Sequence, residues 1–234
     1  MMKNQEILEI LKTDGYCKIP AFFSKDEICS IKKSLKSIYD QINTGDQIDI
    51  PGNITPNSYS TGKSIRIYPP ISYQFFPEIR RFHEKWLTDL TDDFFDGCNQ
   101  KGLQVFSSYE YIQASNVSEL PRNSYMHVDP YHALKFISHM EDANEINGAL
   151  QVIPGTCWIG EKIRQENDIN TLLNSDAYTF LKSKYYDKSL EEKITYIDST
   201  MGELIILNTD VVHCGGVLKE SGAERTSINY HNRK

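Results

Sequence analysis

The stretch Asn147-Gly148-Ala149-Leu150-Gln151-Val152-Ile153-Pro154-Gly155 decides the fold, because it sets a short β-prone run between two turn dipeptides. Asn-Gly and Pro-Gly favour turns, since glycine adopts a positive φ without steric cost. Similar runs recur at residues 105–113, 133–140, 194–197, 203–207 and 226–230. Many short strands without alternating helices predict an antiparallel sandwich or jelly roll.

The first hundred residues predict a helical layer that covers one side of this sheet structure. Ser24 and Glu27 have the spacing of a capping box. Apolar residues follow at helical spacing: Ile28, Ile31, Leu35 and Ile38. A second helix is predicted from Pro77 to about Phe95, with one apolar face made of Ile79, Phe82, Trp86, Leu87, Leu90 and Phe94.

Two segments interrupt these elements. Residues 48–70 are rich in Gly, Pro, Asn and Ser and predict a loop, which carries Lys63 and Arg66. Residues 160–186 predict an irregular or helical insertion. The 234 residues suit a single domain, 1–234. Its expected parts are a mostly helical layer and pocket loop at 1–100, and a jelly-roll core at 101–234 with the insertion at 160–186.

Composition narrows the functional class. The hydrophobic fraction of 39% and charged fraction of 24% are those of an ordinary soluble globular protein. A net charge of −7 argues against general nucleic-acid binding. No apolar run is long enough to cross a membrane, and the first residues do not have the pattern of a signal peptide. The cysteines are odd in number and lack a C-x-x-C motif, so a reducing cytoplasm is expected.

The chemistry points to His127-Val128-Asp129, with His213 and Arg225 later in the chain. Side chains at positions i and i+2 of a strand share one face, about 6.5–7 Å apart. A second histidine brought in by the fold would complete two imidazoles and one carboxylate. That set leaves metal positions open and is typical of non-haem Fe(II) oxygenases, although Mn, Co, Ni and Zn bind such groups too.

Several motifs in order resemble the phytanoyl-CoA dioxygenase-like branch of the Fe(II)/2-oxoglutarate-dependent dioxygenases. The first is Asp14-Gly15-Tyr16-Cys17-Lys18-Ile19-Pro20, which leads into Phe22 and Phe23. The second is Met126-His127-Val128-Asp129, and the third is the Asn147–Thr156 stretch. Gly202-Glu203-Leu204 then leads to His213, and Arg225 follows. The resemblance extends over nearly the whole chain.

The resemblance implies a cupin-like double-stranded β-helix and a role for each matched residue. His127, Asp129 and His213 are expected to ligate Fe(II) and to be the catalytic set. Arg225 is expected to bind the distal carboxylate of 2-oxoglutarate, for which a planar guanidinium is well shaped. Ser227 would share its face, and Tyr111 and Gln113 are further candidates for the co-substrate, with core packing as the alternative.

Some positions depart from the family pattern, and one decides a sub-question. Cys157 stands where the family usually has His, and Gly215 and Leu218 lie where Ser or Gly and then Asn are common. Related halogenases have Gly or Ala in place of Asp129. A carboxylate at this position therefore favours hydroxylation or another oxidation over halogenation.

The expected activity is hydroxylation of an unactivated C–H bond in a small polar metabolite, with O2 consumed and succinate and CO2 as co-products. An amino acid or another anionic metabolite is the favoured substrate. Lys63, Arg66, Lys135 and Trp158 are candidate substrate contacts, while His132 and His139 are expected to be structural or pocket-lining. Two alternatives stay open: a non-catalytic binding protein on the same scaffold, and a Zn- or Mn-dependent cupin-like enzyme.

Overall fold

The computed structural model describes residues 3–44, 54–59, 62–67, 77–97, 100–111, 125–174, 183–219 and 224–233. The helices are α1 (Asn4–Thr13), α2 (Lys25–Thr44), α3 (Lys85–Phe94), α4 (Cys157–Glu166) and α5 (Ile169–Asn174), with 3-10 helices at Pro77–His83 and Lys188–Lys193. The strands are β1 (Tyr16–Ile19), β2 (Ile54–Tyr59), β3 (Gly62–Ile67), β4 (Gln100–Tyr111), β5 (Ala133–His139), β6 (Leu150–Ile153), β7 (Thr195–Ile197), β8 (Leu204–Asn208), β9 (Val212–Cys214) and β10 (Glu224–Arg233).

The strands form two antiparallel sheets. Seven strands make the larger sheet in the order β1-β8-β5-β10-β4-β3-β2, and three make the smaller sheet in the order β7-β6-β9. Apolar side chains from both sheets meet in one buried cluster. Ile137, Ile205 and Leu207 come from the larger sheet, and Leu150 and Val152 come from the smaller one. The sheets therefore pack face to face, which is the sandwich that the sequence predicts.

The opposite face of the larger sheet carries the helices. Successive side chains of a strand point to opposite sides, and on β5 Leu134 and Phe136 contact the helical side while Ile137 faces the other sheet. Ile31 of α2 and Leu87 of α3 belong to the same buried cluster as Leu134 and Phe136. The predicted N-terminal helical layer is thus present. Among the described residues, no helix combines the length and the apolar character needed to cross a bilayer.

Helix α2 begins as the sequence predicts. The Ser24 backbone N–H donates to Glu27 Oε2 at 2.7 Å, and the Glu27 N–H donates to Ser24 Oγ at 3.3 Å. These two bonds are the reciprocal pair of a capping box. Ile28, Ile31 and Leu35 are buried on its inner face, as their helical spacing indicates.

The helix predicted from Pro77 to Phe95 is wrong as a single helix. A 3-10 helix ends at His83, and α3 starts after Glu84, whose ψ of 142° is extended. The carboxylate of Glu84 accepts hydrogen bonds from Arg81 Nε at 3.0 Å and from Trp86 Nε1 at 2.8 Å. These side-chain bonds hold Glu84 in the extended conformation that breaks the helix.

The loop predicted at residues 48–70 is also wrong in its central part. Strands β2 and β3 pair there as a hairpin from Ile54↔Ile67 to Tyr59↔Gly62, and Lys63 pairs with Tyr111 of β4. The turn-forming residues lower the strand propensity of this segment. Backbone hydrogen bonds to the open edge of the sheet offset this low propensity. Strands thus occupy part of the segment 1–100. The single-domain organisation stays a prediction.

Phe136 tests the packing between the larger sheet and the helices. Its ring is fully buried and lies 6.4 Å from the ring of Phe82 and 6.0 Å from that of Tyr230, measured between centroids. Phe136→Ala should lower the free energy of unfolding by about 3–5 kcal/mol, because it leaves a cavity. Urea denaturation measures this, with Met201→Ala, at a 38% exposed position, as the control. Equal losses in the two variants would contradict this account of the core.

Candidate metal centre

His127, Asp129 and His213 come together between the sheets. His127 and His213 form an isolated antiparallel bridge in which each backbone N–H donates to the other's carbonyl at 2.8 Å. The Asp129 N–H donates to the carbonyl of Thr209 at 3.2 Å. This bond ties Asp129 to the turn that precedes β9. The three possible ligand atoms lie within 4.8 Å of one another. The prediction that His127 and Asp129 lie on one strand is wrong, because Asp129 lies outside any strand and His127 takes part only in an isolated bridge.

Backbone carbonyls assign the tautomers of both imidazoles. His127 Nδ1 lies 2.6 Å from the Tyr125 carbonyl oxygen, and His213 Nδ1 lies 2.8 Å from that of Val211. A carbonyl only accepts, so each Nδ1 carries the proton and each Nε2 presents a lone pair. Both Nε2 atoms lie 3.6 Å from Asp129 Oδ1, beyond hydrogen-bond length. The lone pairs and the carboxylate oxygen thus converge on one point.

The ionisation states suit a cation. Burial lowers the pKa of His213 to about 4, so this imidazole is neutral at pH 7, as a metal ligand must be. Burial alone would raise the pKa of Asp129, but the Lys135 charge and the imidazoles of His127 and His213 together outweigh burial and hold that pKa well below its usual range. Two imidazoles, one carboxylate and carbonyl-bound Nδ1 atoms match the donor set and outer shell that are typical of non-haem iron sites.

Lys135 is part of this centre, although the sequence offers only a substrate contact or a solvent-facing lysine. Its ammonium lies 2.6 Å from Asp129 Oδ2 and 3.5 Å from His213 Nε2. The side chain is 17% exposed. The position of a cation against the carboxylate and a ring nitrogen agrees with the chemistry of the donor set.

Arg225 enters the interior from the second residue of β10. Its Nη1 donates to the carbonyl oxygens of Gly148 and Gly216, the latter at 3.0 Å. Gly148 has a φ of +87°, and a Cβ there would lie 2.6 Å from Arg225 Nη1. The Asn-Gly turn therefore also makes room for the guanidinium. Ser227 is buried one strand repeat later.

The remaining candidates are less closely described. Tyr111 ends β4 opposite Glu224 and Lys63, and Lys63 and Arg66 lie on β3, but only the backbone of these residues is described. Gln113 lies outside the described residues. Trp158 is 51% exposed in the first turn of α4, and its ring contacts that of Tyr185 edge-to-face.

His132 and His139 lie outside the ligand cluster. His139 is buried, and its Nδ1 lies 2.9 Å from Ser199 Oγ. The ring of His132 stacks on Phe94 and meets Phe95 edge-to-face. Both positions agree with the structural roles predicted for these residues.

Asp210 lies in the turn that leads to His213 and is missed by sequence reasoning. It is completely buried, and its carboxylate accepts from Arg164 Nη2 of α4 and lies 2.9 Å from His132 Nδ1, outside hydrogen-bond geometry. Asp210 lies three residues before His213, and His132 lies three after Asp129. The sequence gives no signal for Asp210 beyond its place two residues after the apolar strand β8.

The Asp210 cluster predicts a loss of both stability and metal affinity. Asp210→Asn should cost about 3–5 kcal/mol, because it leaves the Arg164 charge without its buried partner. It should also weaken metal binding by about tenfold, the lower end of the effect of groups that orient metal ligands, because the Arg164 pair fixes the turn before His213. Thermal unfolding and Co(II) titration measure the two effects. Exposed Asp198→Asn is the control, and unchanged affinity in Asp210→Asn would contradict the supporting role.

His139 predicts a pH dependence of stability. Burial and the nearby Arg225 charge lower its pKa to about 3 from 6.5. Between these values the unfolded chain binds a proton that the folded chain excludes, so stability falls as the pH falls through this window. His139→Asn should flatten the curve of unfolding free energy against pH between about 4.5 and 6.5 relative to the parent protein. Parallel curves from urea denaturation would contradict the assignment.

Comparisons with known proteins agree with this geometry. The family model "Phytanoyl-CoA dioxygenase (PhyH)" matches residues 11–219, which include the three clustered residues and end before Arg225. The family uses Fe(II), 2-oxoglutarate and O2. A search of curated proteins found no match.

Solved structures share the fold at low identity. The 2-oxoglutarate-dependent epimerase SnoN of nogalamycin biosynthesis is 11% identical over 99% of this chain and 83% of its own, with a TM-score of 0.63. HygX from Streptomyces hygroscopicus, with nickel and 2-oxoglutarate bound, is 15% identical over 98% and 86%, with a TM-score of 0.60. EctD from S. alaskensis, with bound Fe, is 18% identical over 100% and 76%, with a TM-score of 0.60.

These matches confirm the predicted fold and family. The two packed antiparallel sheets are the jelly roll of cupin-like oxygenases. The cofactors expected from the sequence are those of the family. The chain belongs to the phytanoyl-CoA dioxygenase family.

Proposed function

We propose that this protein is an Fe(II)- and 2-oxoglutarate-dependent oxygenase that hydroxylates an unactivated C–H bond of a small polar metabolite. The observation that carries the proposal is the convergence of His127, Asp129 and His213, with ligand atoms within 4.8 Å. Arg225 lies on β10, the strand that pairs with β5, and supplies a guanidinium for a co-substrate carboxylate. A hydrolase or an isomerase based on Zn or Mn gives no reason for this arginine.

In the proposed site, His127 Nε2, His213 Nε2 and Asp129 Oδ1 hold the metal. Bound iron with 2-oxoglutarate and O2 would supply the oxidising power, with succinate and CO2 as co-products. The carbonyls of Tyr125 and Val211 keep the imidazoles in the ligating tautomer. The three protein ligands take three positions and leave the others for co-substrate and oxygen.

Arg225 and Ser227 are proposed to hold the far end of 2-oxoglutarate. The Gly148 and Gly216 carbonyls brace the Arg225 guanidinium before any ligand arrives. Such bracing lowers the entropy lost on binding a carboxylate. Buried Ser227 lies opposite His139 and accepts a hydrogen bond from Asn229 Nδ2 at 3.3 Å. Tyr111 and Gln113 remain proposed co-substrate contacts.

The reaction outcome and the substrate class are proposed from Asp129 and from the structural neighbours. Asp129 keeps the carboxylate that halogenases lack, which supports oxygenation over halogenation. Structural neighbours include an epimerase and a carbocyclase, so this fold is compatible with more than one oxidative outcome. HygX has been solved with hygromycin B bound, which supports a small-molecule substrate here. Lys63, Arg66 and Trp158 are proposed substrate contacts.

A cytoplasmic location is also proposed, and the free thiols of Cys17, Cys157 and Cys214 support it.

One assay decides between this function and its alternatives. The purified protein with Fe(II), 2-oxoglutarate and O2 should release succinate and consume oxygen slowly even without substrate. His127→Ala should abolish both signals. A non-catalytic binding protein would give neither signal, and a Zn- or Mn-dependent enzyme would give no oxygen consumption with any metal. Either result would overturn the proposal.

Arg225 allows a separate prediction on affinity. Arg225→Met should weaken 2-oxoglutarate binding by about 10- to 100-fold, the worth of a lost charged hydrogen bond, while metal binding is retained. Arg225→Lys should recover part of the loss, since it keeps the charge without the planar fork. Calorimetric titration of the anaerobic metal-loaded protein measures this, with exposed Arg80→Met as the control. Unchanged affinity in Arg225→Met would remove Arg225 from the site.

A further inference from the structure

Lys135 is a charged residue inside the sandwich whose role the proposed function does not explain. It is the third residue of β5, between Leu134, which contacts the helical side, and Phe136, which does the same. Strand alternation turns Lys135 to the other face, where Ile137 joins the core between the sheets. A lysine in this position gives up hydration, so a specific anion must compensate for it.

The two oxygens of Asp129 have different partners. Oδ1 lies 3.6 Å from Nε2 of both His127 and His213 and faces the metal position. Oδ2 lies 2.6 Å from the Lys135 ammonium. Lys135 also lies 3.5 Å from His213 Nε2, a ligand atom. The lysine therefore reaches the edge of the metal position while one oxygen stays directed at the metal.

The charges around this point do not balance once a divalent metal is bound. Asp129 is then shared by the metal and by Lys135. Three other described carboxylates pair with cations of their own: Asp210 with Arg164, Glu141 with Lys32 and Glu203 with Lys18. An anion on the metal, next to Lys135, would compensate for the excess positive charge.

Lys135 and Arg225 face the same interior from neighbouring strands. Lys135 is paired in register with His231 of β10, which lies six residues after Arg225. The two cations thus lie at different points along the same face of the sheet, with Lys135 at the metal end. A molecule with a carboxylate at each end matches this arrangement.

From these contacts we infer that Lys135 binds the metal-end carboxylate of the 2-oxo acid co-substrate, as a second anchor in addition to Arg225. The inference rests on the proposed function and deepens it. Lys135 acts as a binding residue by placing its ammonium against the carboxylate that shares the metal. It determines specificity for 2-oxo acids as a class, while Arg225 selects those with a second carboxylate.

A pair of probe acids separates the two anchors. 2-Oxoglutarate has both carboxylates, whereas 2-oxobutyrate has the same 2-oxo acid end and no distal carboxylate. Each is titrated calorimetrically into anaerobic protein loaded with Mn(II), so that no turnover occurs. Lys135→Met, which keeps the length without the charge, should weaken both acids by the same factor, about tenfold or more. Arg225→Met should weaken 2-oxoglutarate alone.

Controls address folding and metal binding. Lys85→Met, at an 87% exposed lysine, should leave both affinities unchanged. Lys135→Arg keeps a cation in place and should retain more affinity for both acids than Lys135→Met. The Mn(II) affinity of each variant is measured before any acid is added. A Lys135→Met protein that loses metal affinity but binds both acids normally when metal-saturated would show a role in orienting Asp129 and overturn the inference.

Two further outcomes would also count against it. If Lys135→Met binds both acids as the parent protein does, Lys135 does not contact the co-substrate, and an anionic primary substrate becomes its partner. If the metal-loaded parent protein binds neither acid, the proposed function itself fails, and the inference fails with it. Equal weakening of both acids in Lys135→Met, with intact metal binding, is the result that supports the assignment.

Discussion

The reciprocal backbone bridge between His127 and His213 is the interaction on which the metal centre depends. Both N–H···O=C distances are 2.8 Å, and the imidazole centroids lie 4.6 Å apart. Residues directly opposite in a bridge project their side chains to the same side. The bridge therefore brings two histidines that are distant in sequence to a spacing at which both could bind one metal ion.

The two segments that form the bridge, one with His213 and one with His127 and Asp129, are also held by contacts with other parts of the fold. His213 lies on β9, whose other side pairs with Val152 of β6. Asp129 is tied to the Thr209 carbonyl, and the Thr209 hydroxyl donates to the Tyr131 carbonyl and accepts from the Ala133 N–H, both at 2.9 Å. The turn at Thr209 thus connects both ligand-bearing segments. Such polar support is costly to bury unless it is satisfied, which makes the arrangement rigid.

The sequence predicts the parts of this structure that depend on local rules. The capping box at Ser24 forms because its bonds lie within one turn. The order His127, Asp129, His213 and Arg225 is informative because few folds bring such residues together. The helix break at Glu84 and the hairpin at 54–67 are not predicted, since both depend on partners outside the local window: side-chain acceptors in one case and a sheet edge in the other.

Asp210 and Lys135 could not be assigned for a different reason. A lone Asp after a strand and a lone Lys within one are usually solvated, and nothing in their neighbours distinguishes a buried charge from an exposed one. Only the fold shows that Asp210 meets Arg164 and that Lys135 meets Asp129. The sequence thus predicts the residues that cluster at this site better than the charged groups that contact them.

The interior charge opposes the charge of the whole molecule. The chain has a net charge of −7, yet Lys135 and Arg225 face the space between the sheets. The low polarity there strengthens the electrostatic attraction of both cations for anions. Ile137 of β5 lies between Lys135 and Arg225 along the sheet, and it packs with Leu150 and Val152. Two cations on one face of the sheet therefore favour a dianion as the ligand of this interior, although the negative charge of the whole molecule repels anions.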